Sequence, residues 1–182
     1  RGVAWKNKGD YDLAIADYDR AIGLGPRDVK AYVNRGVAWK KKGDLDHAIT
    51  DYTHAIDLDP KNADAFYYRA GAWFDKSDSD RAIADYDRAI ALNDKDADAH
   101  SGRGAAWAQK GDYQRAVADY GEAVAINPAN ASFYRRRAGI WDRTGDFDRA
   151  IADYNRGIEL DPKDARGYSG RAQAWFNQNE YA

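Results

Sequence analysis

The sequence predicts an all-α fold, a solenoid of antiparallel helix pairs with a 34-residue repeat. Three observations carry that expectation. Trp5, Trp39, Trp73, Trp107, Trp141 and Trp175 stand at one fixed spacing of 34 residues, and no insertion or deletion breaks the register. A strict period of this size marks a repeat architecture, in which each repeat buries its apolar face only against its neighbours. Within each repeat the apolar residues follow a helical rhythm of about 3–4 residues, and no alternating strand pattern appears. Helix stop signals recur in the same frame.

The repeat around Trp39 shows how the elements arise. Ala31, Tyr32, Arg35, Gly36, Trp39 and Lys40 share one helical face and predict a first helix of about 14 residues. Asn62, Asp96, Asn130 and Asp164 stand where the following first helices need an N-cap. There a side-chain oxygen accepts from backbone N–H groups that the helix leaves unpaired. Gly43, like Gly9, Gly111 and Gly145, suits the left-handed conformation that follows a helix C-terminus. Asp44 then caps a second helix, as Asp10, Asp78, Asp112 and Asp146 do in their repeats, and Asp46 adds negative charge near its positive end. Ala48, Ile49, Tyr52, Ala55, Ile56 and Leu58 form its buried face. Pro60, matched by Pro26, Pro128 and Pro162, cannot continue the hydrogen-bond ladder and ends it.

Small residues let the helices approach closely. Ala14, Ala48, Ala82, Ala116 and Ala150 recur on one face, with Ala21, Ala55, Ala89, Ala123 and Gly157 two turns on. The six tryptophans and Tyr18, Tyr52, Tyr86, Tyr120 and Tyr154 are expected to fill the space beside them as core. Each such ring brings roughly 2–3 kcal/mol of burial stabilisation.

Tyr32, Arg35-Gly36, Trp39, Gly43, Leu45, Ala48, Tyr52, Ala55 and Pro60 together resemble the frame of the tetratricopeptide repeat family. The resemblance covers essentially the whole chain. It implies a right-handed α-solenoid in a single array over 1–182, with full repeats 29–62, 63–96, 97–130 and 131–164. Partial repeats occupy 1–28 and 165–182, the last supplying a first helix and only the beginning of a second. One departure recurs: where the family has leucine stand Arg1, Arg35, Arg69, Arg103, Arg137 and Arg171. Every second helix carries Asp17, Asp51, Asp85, Asp119 or Asp153 just before its tyrosine. We expect each arginine to lay its stem along the core and pair its planar fork with one of these carboxylates.

Composition narrows the function classes. A net charge of -2 and a pI of about 5.9 provide no basic stripe for nucleic acid. No apolar run is long enough to span a membrane. The absence of cysteine removes disulfides, thiolate metal sites and cysteine nucleophiles, and leaves the compartment open. His47, Asp51 and His54 lie within two turns of one helix, but no third strong ligand accompanies them, so no metal or other cofactor is expected. His100 takes an aromatic core slot. No phosphate-binding loop or nucleophile motif is present, and the chain reads as a non-enzyme. The lack of methionine and the start inside a repeat read as a processed, excised or incomplete chain.

Function therefore has to sit in what does not repeat. The family resemblance implies that the first helices line a concave surface that binds a protein or peptide. The inward positions hold Lys6 and Asn7, then Lys30, Asn34, Lys40 and Lys41, then Tyr67, Tyr68 and Phe74 between Asp64 and Asp75. Arg135, Arg136, Arg143 and Arg166 follow in the last two repeats. Aromatics and arginine are the residues most enriched at binding hot spots, and the layout suits an extended mixed-charge peptide with an apolar anchor. Tyr68 has a plainer reading as core edge. Asn34 matches one member of the carboxylate clamp of chaperone-binding relatives, but Val3, Asp64 and Tyr68 stand where other members belong. Ser77, Ser79 and Asp94 make the third repeat the least regular, with Lys76 to Asp80 expected as a mobile turn. The alternatives are a regulatory or substrate-docking segment of a larger enzyme or secretion-type protein, and an RNA-binding repeat. Apolar faces at both ends also predict head-to-tail self-association.

Overall fold

The computed structural model describes residues 10–180. Arg1, Val3, Trp5, Lys6, Asn7, Gly9 and Tyr181 lie outside them, and so do the expectations that rest on those residues. Two compact units divide between Asp94 and Lys95. The N-terminal unit contains α1 (Tyr11–Leu24), α2 (Val29–Lys42), α3 (Leu45–Leu58), α4 (Ala63–Asp75) and α5 (Ser79–Leu92). The C-terminal unit contains α6 (Ala97–Lys110), α7 (Tyr113–Ile126), α8 (Ala131–Arg143), α9 (Phe147–Leu160) and α10 (Ala165–Glu180). The described residues are all-α, and within each unit the first and second helices of a repeat pack as antiparallel pairs.

Caps fall where the sequence places them. Asp10, Asp44, Asp78, Asp112 and Asp146 each accept from the backbone N–H three residues on, and Asp28, Asn62, Asp96 and Asn130 cap α2, α4, α6 and α8. Gly43, Gly111 and Gly145 adopt positive φ. Ser77 occupies the same turn with φ 62, a conformation that costs a side-chain-bearing residue more than glycine. Its turn keeps the register of the others: Asp78 N–H donates to the Trp73 carbonyl at 2.9 Å, as Asp146 does to Trp141. The second helices end at an extended residue ahead of proline, which disfavours the helical region for its predecessor. Asn93 is extended too, although Asp94 follows it, so the proline is not required for the stop. In α10 the turn position of other repeats is taken by Asn179, and the helix runs on through it to Glu180.

The close-approach alanines are buried: Ala14, Ala48, Ala82, Ala116 and Ala150 are all 0% exposed. Tyr18, Tyr52, Tyr86, Tyr120 and Tyr154 are core as expected. The tryptophans are less so. Trp39, Trp73, Trp107 and Trp141 are half-buried at the core edge, and Trp175 is exposed. The outer faces of the half-buried four are covered by basic side chains rather than by apolar packing, as described below.

The arginine–aspartate ladder is present in four repeats. Arg35 donates Nε to Asp51 at 2.9 Å and Nη2 at 2.7 Å. The same two-bond fork joins Arg69 to Asp85, Arg103 to Asp119, and Arg137 to Asp153. All four aspartates are buried. The remaining guanidinium nitrogen reaches the preceding repeat from Arg35 to Asp19 at 2.6 Å and from Arg69 to Thr53 at 3.0 Å, and Arg171, outside the four forks, makes the same reach to Asn155 at 2.6 Å. Gly121 holds that position for Arg137 and offers no acceptor side chain. Each rung therefore ties the two helices of one repeat, and some also tie neighbouring repeats.

Candidate functional site

In the N-terminal unit the predicted residues are mostly engaged with their own scaffold. Tyr68 stacks on Tyr52 with centroids 5.9 Å apart, and Tyr67 sets its ring edge against Tyr68 at 5.3 Å and Tyr86 at 5.9 Å. Tyr67, Tyr68 and Phe74 are half-buried, and Tyr68 packs on the core cluster of Ala48, Tyr52 and Ala72. Lys40 pairs with Asp75 at 3.0 Å, and its Nζ fills the space above Gly71. Lys30 and Lys41 are exposed. Asn34 donates its side-chain amide to the Lys30 carbonyl at 2.9 Å, along its own helix. His47, Asp51 and His54 each have a different partner. His47 bonds Asp44, Asp51 is forked to Arg35, and His54 stacks on Tyr32.

In the C-terminal unit Arg135, Arg136, Arg143 and Arg166 converge. All four line one open cavity of about 460 Å³, together with Tyr113, Tyr120 and Tyr154, and no carboxylate lines it. Helix α8 supplies three of the arginines, since Arg135 and Arg136 lie about two turns from Arg143 on one side, and α10 supplies Arg166. Arg135 donates Nε to Asp164 at 2.6 Å. Burial pushes the Asp164 carboxyl up, but the Arg166 backbone N–H and the Arg135 guanidinium outweigh it and hold the group below the usual carboxylate range. Burial pushes the Tyr120 hydroxyl up, while Arg136, which hydrogen-bonds to it, pulls the other way. Arg143 donates to the Tyr113 hydroxyl at 3.4 Å. The site thus offers guanidiniums, those of Arg136 and Arg143, that bond neutral hydroxyls.

One periodic feature escaped sequence reasoning. The third residue of each second helix reaches back to the tryptophan of its own repeat. His47 stacks on Trp39 at 4.7 Å, and Arg81, Arg115 and Arg149 sit 3.9, 4.5 and 4.0 Å from the centroids of Trp73, Trp107 and Trp141. The same side chains bond the N-cap aspartate, Arg81 to Asp78 and Arg149 to Asp146 at 2.6 Å each. A cation over an exposed indole contributes about 0.5–1 kcal/mol. The signal was in the sequence as a basic residue eight positions after tryptophan in four repeats.

These caps carry a pH dependence. The backbone N–H and side chain of His47 hold the Asp44 carboxyl below its usual range, as those of Arg81 do for Asp78. For Asp146 the Arg149 guanidinium leads. A depressed folded pKa contributes stability that is fully present above the unfolded value and lost as pH falls through the folded one. The thermal midpoint should therefore hold from neutral pH to about pH 5 and fall below about pH 4. Asp146→Asn, which keeps an acceptor without the charge, should show a shallower acid limb in circular dichroism melts. An identical limb would contradict the assignment.

The comparisons with known proteins fit this geometry. Profiles described as tetratricopeptide repeat match residues 29–62, 74–131 and 108–180, and one described as TPR repeat matches 6–43. The chain belongs to the tetratricopeptide repeat family. Among solved structures it is similar to MamA, with 27% identity and a TM-score of 0.80 over 91% of this chain and 96% of MamA. TTC0263, a thermophilic TPR protein of Thermus thermophilus, is 22% identical with a TM-score of 0.77 over 96% of this chain and 95% of that one. YrrB, a TPR protein with an unusual peptide-binding site, is 19% identical with a TM-score of 0.76 over 94% of this chain and 88% of YrrB. Among curated protein sequences none matches. As a TPR array the chain is an interaction scaffold of a generally non-enzymatic kind, and TPR proteins bind proteins or peptides. No helix among the described residues is long and apolar enough to cross a membrane.

Proposed function

We propose that this chain binds an extended peptide or partner segment across the inward faces of its first helices. The observation that carries the reading is the division between repeating and non-repeating side chains. Arg35, Arg69, Arg103 and Arg137 are committed to buried carboxylates in every full repeat. Arg136, Arg143 and Arg166 break the repeat, and they gather with tyrosines around one cavity. Arginine and tyrosine in a concave site are the side chains that dominate binding energy at interfaces. The peptide-binding site of YrrB, a protein of the same fold, supports the same use of the scaffold.

A peptide array probed with the purified chain tests this. Parent binding should fall by at least about tenfold for Tyr67→Ala/Phe74→Ala or for Arg136→Ala/Arg143→Ala, with helicity unchanged. Undiminished binding in both double variants contradicts the reading. Self-association belongs to the same proposal. Tyr168, Trp175 and Phe176 are 42%, 45% and 57% exposed on α10 and, with the Arg171 guanidinium beside the Tyr168 and Trp175 rings, offer an aromatic face to a second copy. A strictly monomeric mass in light scattering across a wide concentration range would rule that part out.

A further inference from the structure

We propose that the arginine-lined cavity of the C-terminal unit is a phosphoryl-binding site, specific for a phosphorylated side chain carried on a peptide. The inference rests on the reading that this face takes a peptide, and adds the chemistry of one subsite.

A comparison of equivalent positions shows how the cavity is made. In the N-terminal unit Lys40 and Asp75 form an ion pair, and the Lys40 ammonium would stand 2.9 Å from a Cβ added at Gly71. That slot is filled and neutral. The same two positions in the C-terminal unit, 68 residues on, hold Ala108 and Arg143. Removing the lysine opens the space, and exchanging the aspartate for arginine reverses the charge at its edge. Gly139, the counterpart of Gly71, leaves the floor bare, with the Tyr154 hydroxyl 3.7 Å from where its Cβ would be. The result is a cavity of about 460 Å³ whose lining contains four arginines and no carboxylate.

The donor inventory favours a phosphoryl group over a single carboxylate. Arg135 is already matched by Asp164. Arg136 and Arg143 bond tyrosine hydroxyls rather than carboxylates, and Arg166 shares the field of Asp164 while lining the same cavity. Each guanidinium presents five N–H donors in a planar fork, whereas one carboxylate accepts about four bonds from two oxygens. A phosphoryl group brings three acceptor oxygens and about -1.5 to -2 charge at neutral pH, and arginine clusters bind it through forked, charge-assisted bonds. Tyr113 and Tyr120 hydroxyls, held beside Arg143 and Arg136, add neutral partners that do not compete for the positive charge.

Fluorescence polarisation with a labelled synthetic peptide tests the proposal, using one phosphoserine in a Gly/Ala context and its Ser, Glu and Glu-Glu counterparts. The phosphoserine peptide should bind at least about tenfold more tightly than any counterpart. Arg136→Gln/Arg143→Gln should abolish that preference, and Gly139→Leu, which fills the floor without removing charge, should weaken phosphopeptide binding by at least about tenfold. Far-ultraviolet circular dichroism confirms that both variants remain folded. Equal affinity for Glu-Glu, or phosphopeptide binding that survives both variants, overturns the proposal. If the phosphopeptide fails while other peptides still bind and lose affinity in Tyr67→Ala/Phe74→Ala, this subsite is wrong and the scaffold reading stands. Failure of every peptide sinks both.

Discussion

Arg137→Leu is expected to destabilise the protein by about 3–5 kcal/mol, even though leucine is the family's own residue at that place. The reason is the partner left behind. Asp153 is only 8% exposed, and its two oxygens accept from Arg137 at 2.7 and 2.8 Å. That carboxylate offsets the desolvation of Arg137 and holds its guanidinium above its ordinary range. With leucine, Asp153 becomes a buried charge without a counter-ion. The double variant Arg137→Leu/Asp153→Ala should recover most of the loss, because apolar replacement of a whole buried pair is often neutral or stabilising. Arg137→Lys should lie between, since a point charge cannot reproduce the fork. Urea denaturation followed by circular dichroism measures all three. A single-variant loss below about 1 kcal/mol would show the pair to be a weak surface-type bridge.

Tyr52→Ala should cost a similar amount, about 3–5 kcal/mol, for a different reason. Tyr52 is fully buried, stacks on Tyr68, and its ring lies where a Cβ on Gly36 would approach to 2.6 Å. Truncation therefore opens a cavity at a close helix–helix contact of its repeat. Tyr52→Phe should behave in the opposite way. The Tyr52 hydroxyl is buried with no hydrogen-bond partner, and burial pushes its ionisation far up. Removing an unsatisfied hydroxyl while keeping the ring should be neutral or stabilising by up to about 1 kcal/mol. A large loss on Tyr52→Phe would mean that the hydroxyl is bonded in solution, and the packing account of this site would need revision.

Much of the fold was legible because each repeat states the same rule again. N-cap aspartates, turn glycines and alanine stripes are local signals whose physics acts within one or two turns, and four rungs of the arginine ladder follow from a spacing of 16 residues. The tryptophans were misjudged in degree. Periodicity marked them as structural, but it does not say whether the second face of an indole meets apolar packing or a cation such as Arg81 or Arg149. The candidate site was legible only as groups of residues. Sequence placed Arg135, Arg136, Arg143 and Arg166 on inward positions, yet which arginines are already matched depends on side-chain geometry. Arg135 turns to Asp164, 29 residues away, and Arg143 meets the Tyr113 hydroxyl, 30 residues away. In the N-terminal unit the same limitation ran the other way. Spacing places Tyr67 and Tyr68 on an inward face, with a core-edge reading open for Tyr68, but it does not show that their half-buried rings also pack on Tyr52 and Tyr86.

On α8 the arginines are proposed to divide their labour, Arg137 holding the fold and Arg136 and Arg143 a ligand. Parallel melts and phosphoserine-peptide titrations of Arg137→Leu and of Arg136→Gln/Arg143→Gln test it most directly. The account predicts a melting temperature lowered by several degrees for Arg137→Leu alone, and affinity lost by about tenfold or more for the double variant at an unchanged melting temperature. A double variant that melts early, or one that melts and binds like the parent, would contradict it.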